Sequence, residues 1–118
     1  MAQQGDLGRA TALYAQSLTL CREIGNKSGA VYCLEGLAAV VCAQGQPECA
    51  ARLWGTAEAT RSLIGAPLAP NERPRYERLV AAVRTHLDEE TFAAAWAAGR
   101  ALPLEQAIAE ALGEEAPT

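Results

Sequence analysis

Aromatic residues are scarce in this chain: they make up 5% of its 118 residues, although half of the residues are hydrophobic. Alanine is the commonest apolar residue, and the β-branched residues that favour strands are comparatively few. A chain that is rich in Ala and punctuated by Gly is typical of packed helices. The composition predicts an all-α domain, large enough for a modest core.

The sequence also lacks a long apolar run and an excess of basic residues. No stretch approaches the roughly 20 apolar residues that span a bilayer, and residues 1–6 have no basic, apolar secretion signal. The net charge is −4, and Lys27 is the only lysine. Binding to nucleic acid depends on neutralising phosphates, which this charge opposes. We expect a cytoplasmic protein that contacts neither membranes nor nucleic acid directly.

Residue patterns that carry chemistry are missing as well. The cysteines are 12, 9 and 7 residues apart, form no Cys-x-x-Cys pair and lie far in sequence from His86, so we expect no metal site. They are expected to be free thiols that pack like small apolar side chains. No nucleophile–base constellation and no phosphate-binding loop motif is present. We therefore expect no catalytic residues, no cofactor and no enzymatic activity. The cysteines are Cys21, Cys33, Cys42 and Cys49.

A repeat is the most informative feature that is present. Gln4–Tyr14 aligns with Gln44–Trp54 at a spacing of 40 residues, and Ile24-Gly25 aligns with Ile64-Gly65. A helical unit of this length cannot bury its apolar face alone and must stack on a neighbour. The register predicts part of a helical solenoid.

Helix signals divide the chain into about six antiparallel helices. Gly25, Gly45 and Gly65 are expected to end the first three, Ser28 to cap the second and Pro47 to open the third. The prolines of the 66–71 segment break the chain before a fourth helix that begins near residue 72. Asp88 is expected to cap the fifth helix, on which Phe92 and Trp96 form a packing ridge, and the sixth follows from Leu104.

These signals predict two parts of one domain. Residues 1–66 hold a half-repeat and one full repeat, and residues 67–118 follow no repeat register. Terminal units of a solenoid are often atypical because one of their faces meets water. We therefore interpret residues 67–118 as C-terminal capping helices.

The repeat resembles the tetratricopeptide repeat. The spacing of bulky and small residues in that consensus, across a helix-turn-helix, is reproduced within residues 34–57, and Gly5, Ala10, Tyr14 and Ser17 match its second half. The resemblance implies a superhelix of α-helical hairpins in which Trp54 and Tyr14 fill the spaces between neighbouring helices. The consensus proline after the second helix is replaced by Ser62 and Arg22. The matching positions are Leu34, Leu37, Ala38, Val41, Gly45, Ala50, Trp54 and Ala57.

A second resemblance covers nearly the whole chain. Tyr14–Lys27, Cys33–Ala38 and Ala50–Glu58 are similar to the repeats of large bacterial regulators, and Pro74–Val80 with Phe92–Leu102 is similar to how those proteins end. In that family a signal-transduction ATPase precedes the repeats, often with a LuxR-type or SARP-type domain. The resemblance implies a non-catalytic C-terminal sensor or interaction segment of a transcriptional regulator, which binds a protein, a peptide or the upstream domains.

The beginning of the chain suggests a second interpretation. By the repeat register, the helix that should pair with the first one is missing, so we expect the chain to be part of a longer protein. The same open face predicts an alternative function, in which the domain is a structural oligomerisation module that forms a homodimer.

The candidate partner-binding residues lie on the second helix, since solenoids of helix pairs usually bind along a concave face lined by the first helix of each pair. Tyr32, Glu35 and Cys42 lie off its apolar stripe, and aromatic residues often mark interfaces. Simple exposure to water, or packing of Tyr32 on a neighbour, is the alternative. If Tyr32 and Glu35 bind a partner, replacing both by Ala should weaken binding and leave thermal stability nearly unchanged.

The fourth helix carries a second candidate surface, which is basic. Arg75 and Arg78 share a face at a spacing of three residues, and they suit an acidic peptide or a phosphate. The alternative is a solvated face with internal Glu–Arg pairs, which is the commoner arrangement on such helices.

Overall fold

The structure is a computed structural model that describes residues 4–114, with side chains from residue 7 onward. Within that range it consists of six α-helices and contains no strand, which confirms the predicted all-α class. The outer ends of the two predicted parts, 1–66 and 67–118, lie outside the described residues. The helices are α1 (Gln4–Ile24), α2 (Lys27–Ala43), α3 (Pro47–Ile64), α4 (Arg73–Thr85), α5 (Glu89–Ala101) and α6 (Leu104–Ala111).

Most helix ends lie where local sequence signals predict them. Gly65 follows α3 in the left-handed conformation with φ 67°, a region that residues with a Cβ rarely adopt. Pro47 is the first residue of α3, where its missing N–H leaves no bond unmade. The carboxylate of Asp88 accepts a hydrogen bond of 2.6 Å from the backbone N–H of Thr91, so it caps α5. That bond lowers the pKa of Asp88.

The predicted cap of α2 is wrong. Asn26, not Ser28, is the N-cap, and its side-chain oxygen accepts a hydrogen bond of 2.9 Å from the backbone N–H of Gly29. Asn is as strong an N-cap as Ser, and it follows Gly25 directly, so the chain enters the helix without an extra linking residue. Ser28 therefore lies within the first turn.

α3 is the centre of the fold. It packs between α2 on one side and α5 on the other, and it also contacts α4 and α6. A helix with neighbours around most of its circumference has no wide polar face, and small residues let those neighbours approach closely. Trp54 is the largest fully buried side chain, with 1% exposure, as its assignment to the core predicts. The buried residues of α3 are Ala50, Ala51, Leu53, Trp54, Gly55, Thr56, Ala57 and Thr60.

The backbones of α3 and α5 touch at two glycines. A Cβ on Gly55 would lie 2.3 Å from the backbone oxygen of Trp96, and a Cβ on Gly99 would lie 2.0 Å from that of Arg52. The buried hydroxyl of Thr56 donates a hydrogen bond of 2.6 Å to the carbonyl of Gly99. The crossing therefore requires glycine on both helices. The Phe92–Trp96 ridge is confirmed beside it, with ring centroids 5.3 Å apart.

The last helix returns to the first one. Arg22 of α1 makes two hydrogen bonds, of 2.7 and 2.8 Å, to the carboxylate of Glu114, and Arg52 of α3 bonds to Glu110 at 3.1 Å. The described chain measures 37 × 35 × 33 Å with a radius of gyration of 13.5 Å, as a globular domain of this length should. The all-helical class is thus established, and the superhelical arrangement stays a prediction.

We predict that Gly99→Ala lowers the free energy of unfolding by about 1–3 kcal/mol, because the added methyl forces α5 away from α3. Urea denaturation measures the change. Gly8→Ala is the matched control, since Gly8 is also helical but a Cβ there meets nothing within 4 Å. It should raise stability by up to about 1 kcal/mol, as Ala favours a helix over Gly. Equal effects of the two substitutions would contradict the close crossing.

We also predict that Cys33 resists alkylation in the folded protein. Burial, helped by the neighbouring thiol of Cys21, raises the pKa of Cys33 to about 11 from 9.0. Only the thiolate reacts. Because the pKa of Cys33 is about 11 rather than 9.0, the thiolate fraction at pH 8 falls by about 99%. Mass spectrometry after iodoacetamide treatment should find Cys33 modified at pH 8 only with denaturant. Cys49 is exposed, and although desolvation raises its pKa too, the reagent reaches it without unfolding.

Candidate partner-binding groove

A groove of about 440 Å³ lies between α1, α2, α4 and the 66–72 segment that follows α3. All three tyrosines of the chain line it, so we call it the aromatic groove. Its volume lies in the range of ordinary ligand sites in proteins. The lining residues used below are Tyr14, Tyr32, Glu35, Gly36, Glu72, Arg75 and Tyr76.

One wall of the aromatic groove is formed where α1 meets α2. A Cβ on Gly36 would lie 2.3 Å from the ring of Tyr14, so the ring lies directly on the backbone of α2. Glycine is therefore required here by the close approach of an aromatic side chain. On the opposite wall Tyr76 of α4 meets the buried Trp54 edge to face, with ring centroids 6.4 Å apart. This geometry is favourable for aromatic pairs, and it fixes the position of Tyr76.

Glu35, one of the lining residues, belongs to an ion pair that is mostly buried. The guanidinium of Arg61 donates two hydrogen bonds, of 2.7 and 3.0 Å, to the carboxylate of Glu35. A third bond, of 3.1 Å, runs from Arg61 to the carbonyl of Ala66 and holds the start of the 66–72 segment. The two side chains are 17% and 15% exposed, and the bonds to Glu35 raise the pKa of Arg61. The pair thus joins α2, α3 and the segment after α3.

Tyr76 remains a neutral hydrogen-bond donor. Burial is the main factor that raises the pKa of its phenol, and the carboxylates of Glu58 and Glu35 raise it further, while Arg61 acts in the opposite direction. The phenol is therefore protonated throughout the physiological pH range. It supplies an apolar ring and an O–H group to the groove.

Three of the five residues that the sequence singles out line the aromatic groove. Tyr32 is 60% exposed, Glu35 carries the ion pair with Arg61, and Arg75 is exposed near the beginning of α4. Cys42 lies outside the groove, half-buried, and packs against the core, and its burial raises its pKa. Arg78 is exposed and also lies outside the groove. The predicted basic pair therefore contributes one arginine to this site.

Sequence patterns alone do not reveal the residues that shape and support the groove. Tyr14 is predicted as a packing residue between neighbouring helices. Its contact with Gly36 also places its ring in one wall of the groove. Arg61 has no local signal, because its partner Glu35 lies 26 residues earlier. A charged residue one turn before a helix-ending glycine is also common in exposed helices. The contribution of α4 depends on tertiary packing, which no spacing in the sequence encodes.

Among residues 4–114, no group of three or more His, Cys, Asp or Glu side chains is placed to hold a metal ion. In the same range, no helix combines the length and apolarity needed to cross a bilayer. Neither a protein-family model, nor a curated protein, nor a solved structure matches the chain.

The ion pair changes what the double substitution of Tyr32 and Glu35 should do. We predict that Glu35→Ala alone lowers the free energy of unfolding by about 2 kcal/mol, because charged hydrogen bonds to Arg61 are lost in a largely buried place. Tyr32→Ala should change it by less than about 0.5 kcal/mol, as the side chain is exposed. Urea denaturation separates the two.

Glu77→Ala is the control for this comparison, since Glu77 is an exposed glutamate of α4. It should behave like Tyr32→Ala. If Glu35→Ala were as mild as Glu77→Ala, the Glu35–Arg61 pair would not stabilise the fold.

Proposed function

We propose that this chain is a non-catalytic scaffold that binds a segment of a protein or peptide in the aromatic groove. The observation that carries the proposal is that Tyr32, Glu35 and Arg75, which the sequence predicts as binding residues, lie around one groove together with the other two tyrosines. In this proposal the chain acts as the C-terminal interaction segment of a multidomain bacterial regulator, as the resemblance implies. The partner is another protein or an upstream part of the same polypeptide.

The chemistry of the groove supports binding of a mainly apolar segment. Tyrosine buries a large rigid ring at a low entropy cost and offers a hydroxyl for a hydrogen bond, which is why it is enriched at binding hot spots. Tyr14 and Tyr76 are already held by Gly36 and Trp54, so little further ordering is required on binding. Arg75 and Glu72 add charges of opposite sign at the α4 side, which suits a polar end of the partner.

The same side chains are poorly suited to acid–base catalysis. Glu35 accepts two hydrogen bonds from Arg61, so its side-chain oxygens are already occupied. Tyr76 has a raised pKa and stays protonated, so it is a weak acid and supplies no phenolate base near neutral pH. Binding is therefore the function that the groove supports best.

The position of the groove also suits a tetratricopeptide-like arrangement. In the proposed hairpin, α2 is the first helix and α3 the second, and α1 is the second helix of the preceding unit. Tyr32, Glu35 and Gly36 of α2 face the groove, which is the side on which helix-pair solenoids receive their partners. α4 takes part in closing that side, as a capping helix would.

Peptide selection tests the proposal. We expect a phage-displayed library of random peptides to yield binders of the full chain. Tyr32→Ala and Arg75→Ala should each weaken the selected peptides about 10-fold, as hot-spot residues do. Titration of fluorescent peptides measures the dissociation constant. Leu63→Ala is the matched control, because Leu63 is 86% exposed and lies outside the groove, and it should change affinity less than about 2-fold.

Two results would contradict this function. One is that no peptide binds, and the other is that the selected peptides bind the Tyr32 and Arg75 variants as tightly as the unchanged chain. Circular dichroism of each variant confirms that it is folded, so that a loss of binding is not a loss of structure.

A further inference from the structure

The outer face of α1 carries three large apolar side chains that are mostly exposed within the described part of the chain. Leu13, Leu20 and Ile24 are 58%, 60% and 74% exposed. Successive residues of an α-helix are 100° apart, which places the three within an arc of about 40°. Leu18, which is fully buried, lies on the nearly opposite side, toward α2. We call this stripe the outer face of α1. Contiguous exposed apolar residues on a soluble domain mark an interaction surface.

The charges beside this stripe are arranged symmetrically. Arg9 and Glu23 are both exposed, and both lie on the same flank of the stripe, as does Gln16 between them. Arg9 precedes Gln16 by seven residues, and Glu23 follows it by seven. Within the described residues neither takes part in an intramolecular ion pair, whereas Arg22 and Arg52 do. Along the flank the sequence is thus basic at one end and acidic at the other.

We infer that the occupant of the outer face is a second copy of this chain, with the two α1 helices antiparallel about a two-fold axis near Gln16. In antiparallel helix pairs, residues on the same flank meet, so Arg9 of each copy lies opposite Glu23 of the other. Leu13 then lies opposite Leu20 of the second copy. Ser17, next to the axis, is small and exposed and lets the helices approach.

Self-complementarity is what favours a second copy over another protein. In a two-fold interface, the same patch of each copy meets itself. The patch must therefore carry both a positive and a negative group, placed so that each group of one copy faces the oppositely charged group of the other. The parallel arrangement brings opposite flanks of the two helices together, so Arg9 of one copy would not lie opposite Glu23 of the other and neither charge pair would form. A different partner has no need of charges placed equally about one residue.

The dimer is independent of the proposed function and compatible with it. Leu7, Ala10 and Tyr14, the α1 residues of the aromatic groove, lie about 60° to 120° around the helix from Leu13. Pairing through the outer face therefore leaves the groove open in both copies. Two grooves in one particle would raise the avidity for a partner with two binding segments.

Sedimentation equilibrium of the full chain between about 1 µM and 1 mM tests the dimer. We expect reversible self-association, with a dissociation constant of tens of micromolar as is usual for a small interface. Leu20→Asp should weaken association at least 10-fold, because it places two carboxylates in the apolar stripe. Leu63→Asp is the matched control, as Leu63 is still more exposed but lies on α3, and it should have no effect.

A charge swap tests the orientation. Arg9→Glu alone should weaken the dimer about 3–10-fold, since two glutamates then face each other at both ends. The double variant Arg9→Glu with Glu23→Arg should restore association to within about 2-fold of the unchanged chain. High salt should reduce these differences. The substituted residues are exposed, and thermal melts verify that every variant is folded.

Three results would overturn the inference. If the chain is monomeric at 1 mM, the proposed interface does not exist. If the double variant associates as weakly as Arg9→Glu alone, the two α1 helices pair in a different arrangement. If Leu63→Asp weakens association as much as Leu20→Asp, self-association uses another surface. Failure of peptide binding at the groove would leave the dimer untouched, so the two proposals are tested separately.

Discussion

The structure depends on one contact, the crossing of α3 and α5 at Gly55 and Gly99. Because these two positions lack a Cβ, the backbones meet directly, and the hydroxyl of Thr56 joins them through a buried hydrogen bond. α5 thereby occupies the face of α3 opposite α2. α4 is left beside this sandwich and reaches α3 through the ring of Tyr76 on Trp54. Its position closes one side of the aromatic groove.

Local signals in the sequence predict the helices well and their packing only in part. Pro47, Gly65 and Asp88 act within one turn of their own position, so their roles can be read from neighbouring residues. The cap of α2 shows the limit of this approach, because Asn26 and Ser28 both have capping side chains and only the path after Gly25 decides between them. Periodicity identifies buried Leu34 and Leu37 for the same local reason.

The features that the sequence does not predict are those in which distant segments meet. From the sequence, Gly99 within α5 is only a weak helix former. The structure shows that it allows the backbone of α3 to approach closely. Glu35 reads as an exposed charge on a concave face, yet Arg61, 26 residues later, turns it into a structural residue that also lines the groove. Tyr32 needs no partner from elsewhere in the chain, and its predicted place on an accessible surface fits its exposure.

α1 contributes two different surfaces through adjacent residues. Tyr14 points to α2 and forms a wall of the groove, while Leu13, one residue earlier, belongs to the exposed outer face. The helix is held by its contact with α2 and, at its end, by the exposed pair of Arg22 with Glu114, and such surface pairs stabilise weakly. Covering the outer face would restrain α1 from its second side. Tyr14 and Leu13 face different sides of α1, so a second copy on the outer face and a partner in the groove would not compete for the same surface of the helix.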